Sequence, residues 1–357
     1  MSLKLALLGF GVVGQGLAEH LVSNGEKANK AVGFDPVVVA ISDLKRGQIY
    51  DPDGLDLTKV LQCLKDHGTL DNYPDSDQLV RGLDAVSTIV ETNADAIVEA
   101  TFTNVVTGEP AITHCKTAFE AKKHVVMTNK GPIALAYQEL KKQAEDEGVF
   151  LGYEGTVMSG TPALRLPETT LIGNTITKIS GILNGTTNYM LTRMEEGLTY
   201  KNALKEAQEQ GYAEADPTSD LEGYDATYKV VILANAVMGK PLLIEEVERQ
   251  GLHTLQEDVV REAAASNQCW KMLGTIEELE DGTVAASVKP VLIERTHPLA
   301  AITGATNAIT YSCNMSGDIT LTGAGAGKSE TGYALFIDLI YCHLFIEKQN
   351  QVVSTFR

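Results

Sequence analysis

A chain of 357 residues with 44% hydrophobic content has room for two domains and large cores, which excludes disordered and fibrous classes. Its formal charge of −18 opposes phosphate backbones over the whole surface, and no Lys/Arg block with interleaved aromatics offers a nucleic-acid interface, so small-molecule chemistry is expected. No run of about eighteen apolar residues suggests a membrane partner, and the N-terminus leads into a glycine motif instead of a signal-peptide cleavage site, so a cytoplasmic protein is expected.

Leu3–Leu8 is an apolar strand candidate, followed by Gly9-Phe10-Gly11-Val12-Val13-Gly14 and a helical pattern through Leu17, Leu21 and Val22. Strand, G-x-G-x-x-G and helix in this order form the dinucleotide-binding fingerprint. Gly9 permits the tight turn, Gly11 the close approach of a pyrophosphate, and Gly14 the packing of helix on strand, with the phosphates over the helix N-terminus. The cofactor contacts predicted in this loop are Gly9, Phe10, Gly11, Val13 and Gly14. Further strands are predicted at Val37–Ser42, Ala96–Ala100, Val125–Met127 and Val149–Gly152, separated by helical patterns such as Pro132–Glu147. That alternation predicts a doubly wound, Rossmann-type parallel sheet in an α/β fold.

The strand at Val37–Ser42 runs into Asp43, whose carboxylate would accept from a ribose 2′-hydroxyl and select NAD. Lys45 and Arg46 follow and could pair with the 2′-phosphate of NADP, and Asp43 as a plain turn residue is a third reading. Ligands of such sheets lie beyond the carboxyl ends of the strands, which draws Thr101-Phe102-Thr103 and Thr128-Asn129-Lys130 toward the nicotinamide and makes Lys130 a site residue.

After Tyr153 the alternation breaks, and the glycine-punctuated loop Glu154–Pro162 marks a domain switch. Ile176–Leu183 is a predicted strand, Asn184-Gly185-Thr186-Thr187-Asn188 a polar turn and helix start, and Tyr200–Gln210 a helix, while Trp270–Leu292 holds two short strand patterns. The run Gly211–Lys229 sets Glu214, Asp216, Asp220, Glu222 and Asp225 before a lone lysine. The residues after that lysine, V-V-I-L-A-N-A-V-M, are apolar almost all round at helical spacing, so Lys229 is expected to open a buried helix and to need a partner or a task. Asp225 shares its helix face at a separation of four.

An exposed ion pair there would contribute only about a few tenths of a kcal/mol, and burial argues against it. A calcium loop is disfavoured because the D-x-[DN]-x-[DN]-G order is missing. The favoured reading is a catalytic cluster in which carboxylates position the lysine and one receives a substrate ammonium group. The cysteines Cys63, Cys115, Cys269, Cys313 and Cys342 lie far apart with no C-x-x-C pair, and read as reduced core residues.

Ala207–Lys229 closely resembles the signature of the homoserine dehydrogenase family, with Gly211, Asp216-Pro217, Asp220, Gly223, Asp225 and Lys229 at the family's spacing. Gly9–Gly14, Thr128-Asn129-Lys130, Glu154–Pro162, Gly181–Asn188 and Gly323-Ala324-Gly325-Ala326-Gly327 look like its other blocks, in its order, so the resemblance spans essentially the whole chain. It implies reversible oxidation of L-homoserine to L-aspartate 4-semialdehyde with NAD or NADP, in threonine, methionine and isoleucine biosynthesis. It further implies Lys229 as the acid–base lysine and Asp225 as its orienting partner. Glu214 would contact the substrate ammonium, Asp220 would stand among the substrate-binding residues, and Lys130 would be a second active-site lysine at the junction of cofactor and substrate. Gly327, with Thr101 and Asp43, would join the cofactor contacts.

The resemblance also implies a structural Na+ or K+ held by Glu154 and the carbonyls of Val157, Ser159 and Thr161. The organisation it implies is a nucleotide-binding domain over residues 1–152, an α+β substrate-binding and dimerisation domain over 153–320, and a segment 321–357 that returns to the first. A homodimer is expected, and feedback inhibition through an appended regulatory domain is not. Two rivals are a dehydrogenase of another amino-acid aldehyde or hydroxy acid, and a catalytically silent NAD(P)-binding sensor. The silent sensor predicts loss of the lysines, yet Lys130 and Lys229 are both present.

Overall fold

The first strand, β1 (Leu3–Leu8), is buried at every residue except the half-buried Lys4, as a central strand covered on both faces must be. The computed structural model of the chain describes residues 2–102 and 104–355, so Thr103, expected near the nicotinamide, lies outside the described residues. After β1 come β2 (Pro36–Asp43), β3 (Gly47–Tyr50), β4 (Val80–Arg81), β5 (Ala96–Glu99), β6 (His124–Met127) and β7 (Leu151–Gly152). They form one sheet in the order β4-β3-β2-β1-β5-β6-β7, parallel except for the antiparallel edge made by β3 and β4. The chain steps from β1 to β2 on one side and later to β5 on the other. Strand order therefore reverses between β1 and β5, the switch point at which such sheets bind ligands.

The chain divides into two compact units, residues 1–160 with 327–357, and residues 161–326. The C-terminal helix Lys328–Thr355 belongs to the first unit and packs on the helix Val12–Val32. Their backbones nearly touch: a Cβ on Gly332 would lie 2.5 Å from the carbonyl carbon of Gly16, and one on Gly16 would collide with the carbonyl oxygen of Lys328. Leu335 and Leu339 from this helix join Leu5, Leu7, Phe10 and Leu17 in one apolar core.

The second unit holds β8 (Ile176–Ile182), β9 (Glu248–Arg249), β10 (Gln268–Glu278), β11 (Val284–Glu294), β12 (Thr306–Cys313) and β13 (Gly317–Ala324). Their order is β13-β12-β8-β10-β11-β9, antiparallel throughout except for β9 on β11. The predicted fold class, a Rossmann-type sheet with a separate α+β unit, is the one found. The two short patterns predicted within Trp270–Leu292 are a longer hairpin, paired from Gln268 opposite Glu294 to Glu278 opposite Val284.

The buried helix runs over Tyr224–Ala236, with Ala226 through Asn235 all buried. Lys229 thus lies inside this helix instead of opening it. The start is set by Gly223, whose φ of 81° is a left-handed conformation that glycine adopts without strain. All five cysteines are buried and unpaired. Among the described residues no helix is long and apolar enough to cross a membrane.

Candidate active site

At the switch point, Gly9 adopts φ 84°, and a Cβ there would lie 2.6 Å from the carbonyl carbon of Ala100 and 2.8 Å from the Thr101 nitrogen. Only glycine lets the end of β1 pass this close to the end of β5. A Cβ on Gly14 would lie 2.7 Å from the Gly9 carbonyl oxygen, whereas one on Gly11 would meet nothing within 4 Å. Gly11 opens the helix Val12–Val32 with no side-chain cap, and the first turn carries no acidic residue. The loop thus presents uncapped N–H groups beside open space, the arrangement a dinucleotide pyrophosphate requires. Val13 is half-buried against the core, and Phe10 is fully buried.

Asp43 ties the end of β2 to this loop. Its Oδ2 accepts from the Phe10 N–H at 2.7 Å, and its Oδ1 from the N–H groups of Lys45 and Arg46 at 2.9 and 2.8 Å. Burial pushes the carboxyl up, but those three bonds and the Arg46 guanidinium 3.9 Å away outweigh it and hold its pKa below the usual range. The turn reading of Asp43 is therefore part of its role, and the carboxylate stays ionised.

Beside Thr101 lies a residue the sequence reading passed over. Glu99 is fully buried and accepts from the Thr101 N–H at 2.8 Å and from the Thr101 hydroxyl, while its other oxygen lies 2.6 Å from His114 Nδ1. An acid inside the apolar strand A-I-V-E was the signal that could have found it. Lys130 is half-buried and begins the helix Lys130–Glu147, capped by Asn129, which accepts from the Gly131 N–H at 3.3 Å and donates to the Phe102 carbonyl at 3.4 Å.

In the same unit, Glu154 is buried and its N–H donates to Asp338 Oδ2 at 3.0 Å. Val157 is buried, and Ser159 takes a left-handed φ of 52° with its hydroxyl 2.8 Å from that of Thr331. Gly327, at φ 136°, accepts through its carbonyl from the Thr331 N–H at 2.9 Å. Thr161 is the first residue of the second unit, where its hydroxyl donates to the Ala324 carbonyl at 3.4 Å. Among the described residues no group of three or more His, Cys, Asp or Glu side chains could hold a metal ion.

The second unit assembles the lysine cluster. Lys229 is 5% exposed, and its Nζ lies 2.8 Å from Asp225 Oδ2 and donates to the Leu183 carbonyl at 2.6 Å. Asn184, the next residue after Leu183, donates to Asp220 Oδ1 at 2.7 Å and to Asp225 Oδ2 at 3.2 Å. Thr186 places its hydroxyl 3.0 Å from Asp220 Oδ2 and 2.6 Å from the Tyr212 carbonyl. Burial and then the charge of Asp225 raise the Asp220 pKa, against the bonds from Asn184 and Thr186 and the charge of Lys229.

The remaining acids of the run take other places. Glu214 is exposed between the helices Tyr200–Glu209 and Thr218–Leu221, its carbonyl accepting from Gln208 Nε2 at 3.1 Å. Asp216 accepts from the Thr218 N–H at 3.1 Å and its hydroxyl at 2.6 Å, forming a turn. Glu222 pairs with His253 at 2.7 Å.

A family model described as "Homoserine dehydrogenase" matches residues 162–340, and one described as "Glutamate/Leucine/Phenylalanine/Valine dehydrogenase" matches residues 2–143. An NAD(+)-dependent homoserine dehydrogenase of Pseudomonas canavaninivorans is 43% identical over 95% of this chain and 96% of its own. A homoserine dehydrogenase of Methanocaldococcus jannaschii is 39% identical over 96% and 98%. The solved structure of a hyperthermophilic archaeal homoserine dehydrogenase in complex with NADPH superposes with a TM-score of 0.82 at 30% identity, covering 96% of this chain and 98% of that one.

Proposed function

The chain belongs to the homoserine dehydrogenase family and is an NAD(P)-dependent oxidoreductase, and we propose that Lys229 is the group that exchanges the proton with the substrate oxygen. The reaction interconverts L-homoserine and L-aspartate 4-semialdehyde. When bound, the nicotinamide supplies or accepts the hydride. The observation that carries the reading is the partner count at Lys229: an ammonium has three donors, and among the described residues Asp225 and the Leu183 carbonyl take two, which leaves one for a substrate oxygen.

In reduction that N–H donates to the carbonyl oxygen as charge develops there, and Asp225 holds the ammonium in place beforehand. Burial excludes the water that would otherwise compete for the proton. Asp220 shares the hydrogen-bonded cluster and serves the substrate side with Glu214, whose exposed carboxylate suits a substrate ammonium. Lys130 supplies a second positive charge for a substrate that carries a carboxylate.

For the cofactor, Gly9, Phe10, Gly11, Val13 and Gly14 would hold the pyrophosphate, with Thr101, Lys130 and Gly327 as further contacts. An Asp43 kept ionised would accept from a ribose 2′-hydroxyl and repel a 2′-phosphate, which favours NAD over NADP. Na+ or K+ at Glu154 and the carbonyls of Val157, Ser159 and Thr161 suits a buried carboxylate and hard oxygen donors. Exchange into a buffer whose only cation is a bulky organic ammonium should then lower the melting temperature, and an unchanged value would remove the ion. The five reduced cysteines suit the cytoplasm, and the family resemblance supports a homodimer through the second unit, which light scattering would test.

The central test monitors NADH and NADPH oxidation at ~340 nm, the reduced-nicotinamide absorbance, with L-aspartate 4-semialdehyde. Lys229→Ala is expected to lower kcat by about 10²–10⁴-fold while cofactor affinity persists. A folded Lys229→Ala protein with undiminished kcat would remove Lys229 from the chemistry.

A further inference from the structure

We propose that Asn184 is a positioning residue of the acid–base pair: its side-chain amide bridges Asp220 and Asp225 and so turns Asp225 toward Lys229. The inference rests on the reading of Lys229 and Asp225 as that pair. The orientation of the amide is fixed by its other end. Oδ1 caps the helix Gly185–Glu195, accepting from the Thr187 N–H at 3.0 Å and lying 3.1 Å from the Thr187 hydroxyl. A backbone N–H can be received only by the amide oxygen, so Nδ2 must face the carboxylates. It donates to Asp220 Oδ1 at 2.7 Å and to Asp225 Oδ2 at 3.2 Å, the second being the oxygen that lies 2.8 Å from Lys229 Nζ.

Leu183 and Asn184 therefore grip both members of the pair, the first by its carbonyl on the ammonium and the second by its amide on the carboxylate. Two carboxylates this close repel each other, and an amide donating to both is what lets them share the site. Asn184 is only 7% exposed, so water cannot readily replace it. The charged groups facing Asp220 are Asp225 and Lys229 from the helix Tyr224–Ala236, and its remaining bonds come from Asn184 and Thr186. Asn184 is among the groups that keep a proton off Asp220.

Two variants separate bridging from capping. Asn184→Ser and Asn184→Asp both keep an oxygen that can cap the helix, and both lose the amide donor. With bridging, both variants bind NADH as well as the wild type; Asn184→Asp melts lower, because it sets a third carboxylate beside Asp220 and Asp225, whereas Asn184→Ser melts near the wild type. The kcat of each falls about 10²-fold, the scale of a misplaced catalytic group, with a much smaller change in KM. In Asn184→Ser the acid limb of the kcat profile also moves to higher pH, because Asp220 loses a bond that opposes its protonation. Wild-type kcat in folded Asn184→Ser, or a loss that merely tracks the unfolded fraction, would overturn the inference. Asp225→Asn is measured alongside. An inactive Asp225→Asn with an unimpaired Asn184→Ser sinks the bridge alone, whereas a fully active Asp225→Asn sinks the acid–base pair and the bridge with it.

Discussion

At the scale of single residues, His124 couples the fold to pH. Its Nδ1 accepts from the Phe150 N–H at 2.9 Å, and burial lowers its pKa from 6.5 to about 4 against a weaker pull from Asp95. The folded value lies below the unfolded one, so as the pH falls the unfolded chain takes up the proton first. The stabilisation is complete above pH 6.5 and is lost between there and about pH 4. It amounts to roughly 3 kcal/mol. The denaturant midpoint should fall across that window, and His124→Asn, which can still accept from Phe150, should flatten the fall; an unaltered slope would place the sensitivity in other groups. Asp43→Asn makes a second case. Loss of the fixed charge should lower the kcat/KM preference for NADH over NADPH about tenfold, the worth of one hydrogen bond to a charged group. Equal ratios in both proteins would return Asp43 to the turn alone.

At the scale of elements, the contact of the helices Val12–Val32 and Lys328–Thr355 reverses an ordinary rule. Gly→Ala inside a helix usually stabilises by about 0.5–1 kcal/mol. At Gly332 the added methyl would press on the backbone of Gly16, so Gly332→Ala should instead destabilise by about 1–3 kcal/mol in urea titrations. A stabilised variant would mean the helices can part without cost. Much of the first unit was legible because each parallel strand is a short apolar run punctuated by glycine or a polar turn, as at Leu3–Leu8 and Gly9–Gly14. The start of the Tyr224–Ala236 helix was misplaced because the acidic lead-in resembles a solvated turn, while the true punctuation is one glycine at Gly223. The edge strands β3 and β4 are four and two residues long, too short for any period to show.

At the scale of the whole molecule, the motifs identified the chemistry, and Lys229 with Asp225 was readable because they lie four residues apart on one helix. Asn184 and Asp220 were not joined by that reading, since they meet across 36 positions and no local pattern records such a pairing. The pairing of Glu99 with His114, 15 positions apart, escaped for the same reason, although the acid in the A-I-V-E strand was itself a local signal. The first unit also depends on a distant part of the chain. A polypeptide cut after Ala326 would lack Leu335, Phe336 and Leu339 from its core and should lose NADH binding measured by fluorescence quenching. Retained affinity would make the C-terminal helix dispensable. That dependence bears on birth as well as on stability. On the ribosome the glycine loop emerges early, yet residues 327 onward, which complete its unit, are made only after residues 161–326. The second unit can close while the cofactor half still waits with its apolar face open, so the half that is begun first is finished last, and a chaperone would find its client there.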